Sequence, residues 1–129
     1  MSTAAELFTA TLPADPGVLK DFRRRLTSWL EAAGVKEERD AILLAAHEAA
    51  ANAIEHAAAP VTVVGRVEPD VILIEVTSAG RWAAHRQEPS DERGRGVALM
   101  RGLLSDVQIL AEEERTIVRL RMIRSQAPD

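Results

Sequence analysis

A chain of 129 residues, 47% hydrophobic and 28% charged, is long enough to fold one domain around a packed core and short for two. Sixteen Lys and Arg against twenty Asp and Glu leave a net charge of −4, with no basic run interleaved with aromatics, which argues against a nucleic-acid partner. The lack of cysteine excludes a disulfide framework or a thiolate metal site, and no apolar stretch approaches the ~20 residues of a membrane span or the pattern of a secretory leader, so a soluble cytoplasmic protein is expected.

Residues 6–12 (ELFTATL) alternate as a strand and stop at Pro13. Asp15 then offers a helix cap with Pro16 at the first helical position. Val18, Leu19, Phe22, Leu26, Trp29, Leu30 and Ala33 form one apolar stripe that Gly34 closes. Lys20, Arg23 and Arg24 lie on the other side, either a solvated face or one suited to an acidic partner. A second helix is predicted from near Glu37 to just before Pro60. Two β-rich runs, 61–68 and 71–78, flank Pro69 and Asp70 as a hairpin. Residues 79–93 lose periodicity and gather Gly80, Pro89, Ser90 and several charges, a loop of the length used for active-site lids. A short helix over 96–104 follows, then strands over 106–111 and 115–122 about a turn at Glu112–Glu114, and a disordered tail over 125–129.

This order predicts an α+β two-layer sandwich, a mixed and mostly antiparallel sheet with helices on one face, in a single domain over 1–124. Periodicity places Leu7, Ile42, Leu43, Val63, Ile72, Ile74, Val76, Leu99, Leu103, Val107, Ile109, Val118 and Leu120 in the core beside the first helix's stripe.

Two patterns carry chemistry. In RGRGVALMRGLL, residues 93–104, Gly94 and Gly96 lead into a helix whose N-terminus offers unpaired N–H groups and the positive end of its dipole, and glycine lets a phosphate approach the backbone. The same pattern also serves as an ordinary turn and cap. In HEAAANAIEHA, residues 47–57, Glu48 and Asn52 are four apart and share one helix face, with Glu55 and His56 a turn further on. The intervening alanines favour helix and leave room for a neighbour or a ligand; the bland alternative is a solvated polar face.

Taken in order, Glu48-x-x-x-Asn52 with His56, a hairpin, a loop, and Gly94-Arg95-Gly96 continuing into Leu99-Met100-Arg101 resemble the Bergerat-fold (GHKL) ATPases. Within them the chain is most similar to the small anti-sigma-factor serine/threonine kinases of bacterial partner-switching systems. The likeness runs from the first strand to about Met122. It implies ATP and Mg²⁺ as cofactors, with Asn52 ligating the ion through its amide oxygen and Glu48 acting as general base on the attacking hydroxyl. The amides of Gly94, Arg95 and Gly96 would receive the phosphates, with Arg93 or Arg95 adding charge. The family's Asp-x-Gly-x-Gly segment, which meets adenine, reads Ser78-Ala79-Gly80-Arg81-Trp82 here, and its Gly-Thr on the last strand reads Arg115-Thr116. Ser78, Gly80 and Thr116 would therefore line the base, and the neutral serine would weaken adenine recognition by about 1–3 kcal/mol.

The activity implied is that of an anti-sigma factor that sequesters a sigma factor and phosphorylates an anti-sigma-factor antagonist, with homodimerisation suggested by the same resemblance. The departures at Ser78, Trp82 and Arg115 keep open a module of this fold that exchanges protein partners with weak or no nucleotide binding.

Overall fold

The computed structural model describes residues 7–56, 58–79 and 92–125. Strand β1 (Phe8–Leu12) ends where Pro13 removes a backbone donor. Asp15 caps the next segment by accepting the Gly17 N–H at 2.9 Å, so Pro16–Val18 forms a 3₁₀ turn that runs into helix α1 (Leu19–Ala32). Gly34, at φ +80°, closes α1. Its N–H reaches the Glu31 carbonyl and the Val35 N–H the Leu30 carbonyl, the paired bonds of a Schellman end, and Val35 is fully buried beside them.

Helix α2 (Arg39–His56) begins with Glu38 as its cap residue, whose carbonyl accepts the Ile42 N–H. Strand β2 (Ala58–Val67) pairs with β3 (Val71–Ala79), and its register shifts between Ala58 and Val61, where Pro60 has no N–H to give the ladder. Helix α3 (Glu92–Leu103), β4 (Asp106–Ala111) and β5 (Arg115–Ile123) complete the fold. The five strands lie in the order β1-β2-β3-β5-β4, and every described pairing is antiparallel.

The helices cover one sheet face. Inward-pointing Phe8, Val63, Ile72, Ile74, Val76, Val118 and Leu120 meet Phe22, Leu26 and Leu30 of α1, Ile42 and the alanines of α2, and Met100 of α3 in one core. Phe8 packs edge-on to Phe22 at 6.0 Å and tilted against Trp29 at 5.5 Å between ring centroids. At the free edge of β1, Arg25 donates to the Thr9 carbonyl at 3.1 Å and lies over the Phe8 ring, blunting an edge that could otherwise pair with another chain.

Two expected core residues lie outside it: Leu7 is 56% and Leu99 39% exposed. Phe8 and Met100 take their places. One residue along a strand reverses the face, and one residue along a helix turns it by about 100°. The third helix also starts four residues earlier than its glycines suggested. Glycine costs a helix about 1 kcal/mol relative to alanine, and here α3 is carried by its packing on α2. Of the expected tail, 126–129 lie outside the described residues, while the Ser125 N–H donates to the Glu38 carboxylate.

Candidate functional site

Helix α2 is the hub on which the candidate residues are mounted, packing on α1 and α3 and across β2, β3 and β5. Its buried alanines at 45, 46, 49, 50 and 53 allow that approach, because nothing beyond Cβ holds the neighbours away. Asn52 is 6% exposed, and its buried amide nitrogen has no hydrogen-bond partner among the described residues. Such a group costs about 1–3 kcal/mol in a protein interior, so Asn52 is poised for a further partner. Turning the carboxamide by half a revolution would present its oxygen to the same point. Glu48 stands one turn earlier on the same face, about 6 Å along the axis, and is half-buried.

His47, which patterning passed over, is half-buried with Nδ1 unpartnered among the described residues. Burial, and then the charge of Arg23 on α1, hold its imidazole below the usual range, with the Glu48 carboxylate opposing them. The ring is therefore neutral at pH 7. A histidine immediately before the helix's acid in an alanine stretch was the only sequence signal for it.

The sheet contributes a second pair of polar residues. Ser78 near the end of β3 and Thr116 near the start of β5 are direct register partners, 4% and 1% exposed. Alternation puts Ser78 on the same face as Ile74 and Val76, the face the helices cover. Two buried hydroxyls at adjacent strand ends make a small polar patch in an otherwise apolar layer. Arg115, the departure beside Thr116, does not crowd that patch. It points to the opposite side, exposed, and pairs with Glu112 at 2.5 Å, and that pairing raises its pKa further.

In α3, Gly94 and Arg95 fall within the first turn and Gly96 is the fifth helical residue. The free N–H groups of a helix belong to its first turn, so Gly94 is better placed than Gly96 to offer one. Gly80, like Trp82, lies outside the described residues. His56 ends α2.

A family model described as the histidine kinase-like ATPase domain matches residues 12–122, a span that encloses every residue above. The chain belongs to this family of histidine kinase-like ATPase domains. The ATPase-family domain also shares its fold with a crystal structure described as the RsbU and RsbW domains of Rv1364c from Mycobacterium tuberculosis. The TM-score is 0.75 at 21% identity, over 93% of this chain. The chain spans 33% of the length of that neighbour. No curated protein matches it.

A concavity of about 380 Å³ on the outer sheet face lies away from this site, lined by Leu7, Val64, Leu73, Glu75, Arg119 and Arg121. Glu75 and Arg119 pair within it at 2.8 Å, nearly half exposed on both sides, and such pairs contribute little. Nothing there parallels the buried unpaired amide of the ATPase-family domain's α2. Among the described residues, no helix is long and apolar enough to cross a membrane.

Proposed function

We propose that this domain binds Mg-ATP and transfers the γ-phosphoryl group to a serine or threonine of an anti-sigma-factor antagonist, while itself acting as an anti-sigma factor. The observation that carries the reading is Asn52, a buried carboxamide with an open valence one turn from a half-buried glutamate. A hard oxygen ligand suits Mg²⁺, which keeps most of its shell for phosphate and water. Among the described residues no three His, Asp or Glu side chains gather into a metal cage, so Asn52 would hold the ion together with the nucleotide's own oxygens. The bound ion supplies neutralisation of phosphate charge.

The remaining roles belong to the chain. The first-turn amides of α3 receive phosphate oxygens at the positive end of the helix. Ser78 and Thr116 face the base with hydroxyls. Glu48 takes the proton of the incoming hydroxyl as its oxygen bonds to phosphorus and the bond to the ADP oxygen breaks. The partners that follow are a sigma factor and the antagonist. The same reading takes 1–124 as one cytoplasmic domain that can pair as a homodimer, and the likeness to a chain with an RsbW domain supports the fold on which it rests.

Calorimetric titration with ATP and Mg²⁺, beside Asn52→Ala, tests the proposal. Binding that falls at least tenfold in the variant is expected. No binding at millimolar ATP would overturn it and favour a partner-exchange module, the reading to which the neutral Ser78 lends weight.

A further inference from the structure

Leu44 is 42% exposed, the one large hydrophobic residue of α2 left open to solvent. It stands one turn before Glu48 on the same helix face. Buried Ala45 and half-buried His47 border the step from Leu44 to Glu48 on its two sides, and no other side chain of α2 lies between them. A turn before Leu44, the Asp40 side chain is 90% exposed and pairs with Arg39 at 3.4 Å. The face thus reads acid, leucine, acid along its axis. Four helical residues rise about 6 Å, and two residues of an extended chain cover about 6.6 Å with both side chains on one side. A substrate segment that lays its hydroxyl on Glu48 therefore brings the residue two positions away onto Leu44.

We propose that Leu44 is a substrate-docking residue: it receives an apolar side chain two positions from the acceptor serine or threonine, in an extended segment of the protein substrate. The inference rests on Glu48 being the base. In the step it serves, the acceptor oxygen bonds to the γ-phosphorus, the bond to the ADP oxygen breaks and the hydroxyl proton passes to the Glu48 carboxylate. The Glu48 carboxylate, one turn from the leucine, disfavours an acidic residue at that substrate position. An apolar occupant gains contact there without losing charge solvation.

The test uses the full chain, Mg-ATP and synthetic decapeptides with a single serine and Leu, Lys or Glu placed two positions before or after it. Phosphate transfer is followed, and ATP affinity is measured separately by calorimetry. The wild-type chain is expected to favour the better Leu peptide over its Glu counterpart about tenfold in kcat/KM. Leu44→Glu is expected to abolish that preference with ATP affinity unchanged, and Leu44→Met to keep it. A preference that survives Leu44→Glu, or a wild-type chain that binds ATP yet shows no preference or no transfer, overturns the docking role. Failure to bind ATP at all would instead bring down the nucleotide reading on which it stands.

Discussion

Ser78 presents a hydroxyl, buried opposite Thr116, where the family's motif carries a carboxylate. The substitution works in two directions. A carboxylate would offer adenine a charge-assisted bond, roughly twice as strong as a neutral one. In the nucleotide-free domain, however, the same carboxylate would be a charge buried in a largely apolar layer, which is costly. Ser78→Asp is therefore expected to tighten ATP binding by about 1–3 kcal/mol and, without nucleotide, to lower the melting temperature. Calorimetry and a thermal melt on the same preparation separate the two effects. Tighter binding with no loss of apo stability would mean that Ser78 does not sit in a closed polar patch. At this scale the site was only partly legible. Glu48 and Asn52 could be paired from spacing alone, since four residues is one helical turn. Neither the unpaired state of the Asn52 amide nor the Arg23–His47 relation could be read, because both depend on how α1 and the sheet close around α2.

Among the elements, the contact of α1 with β2 depends on a glycine. A Cβ on Gly65 would lie 3.0 Å from Cη2 and 3.2 Å from Cζ3 of Trp29, and Phe8, the register partner of Gly65, packs against the same indole. With that contact already tight, Gly65→Val is expected to cost about 1–3 kcal/mol in urea unfolding. A neutral result would show that the indole can swing outward. The start of α2 is tied down differently. Its cap residue Glu38 is 6% exposed and accepts the Ser125 N–H, while Arg124 donates to the carbonyls of Glu68 at 3.0 Å and Gly34 at 3.4 Å. Burial raises the Glu38 pKa, but the bonds from Ser125 and its own N–H, with the charge of Arg124, outweigh it and leave the group below its ordinary 4.5. A carboxyl depressed in the folded state stabilises above its unfolded pKa, and that contribution fades as pH falls through the folded value. Glu38→Gln should thus be less stable than wild type at pH 7, with the gap closing below about pH 4. Urea melts across that range check it, and a gap independent of pH would assign the loss to packing alone. Element types and order were legible because period and punctuation agreed: Asp15-Pro16 at the start of the first helix, Gly34 at its end, alternation in β3. What failed were choices among neighbours. The start of α3 was hidden because glycines weaken a helix without forbidding it. On α2, Ile42 and Leu43 were legible as core, while the alanines that bury most of its face gave no periodic signal because they run nearly all round it.

For the molecule as a whole, the position of α2 decides what a ligand on it can do. One core joins all three helices to the sheet, and α2 touches every other helix and three strands, so a domain of this kind should unfold as a unit. A nucleotide held through Asn52 binds the folded chain and not the unfolded one. It therefore stabilises the whole molecule, by about 2.7 kcal/mol at a hundredfold excess over Kd. For a domain of this size that corresponds to a rise in Tm of roughly 10 °C. The wild-type chain is expected to show that rise with Mg-ATP, to lose most of it when EDTA removes the metal, and to keep no more than about half of it at the same concentration as Asn52→Ala. The dose matters as much as the amplitude. If Ser78 makes the base weakly held, the rise will come only at high ATP, and Ser78→Asp will move the curve to lower concentration while starting from a lower Tm. An equal rise in wild type and Asn52→Ala would place the nucleotide somewhere other than α2. Stabilisation unchanged by EDTA would place the binding energy in the phosphate-to-amide contacts of α3 and not in the metal.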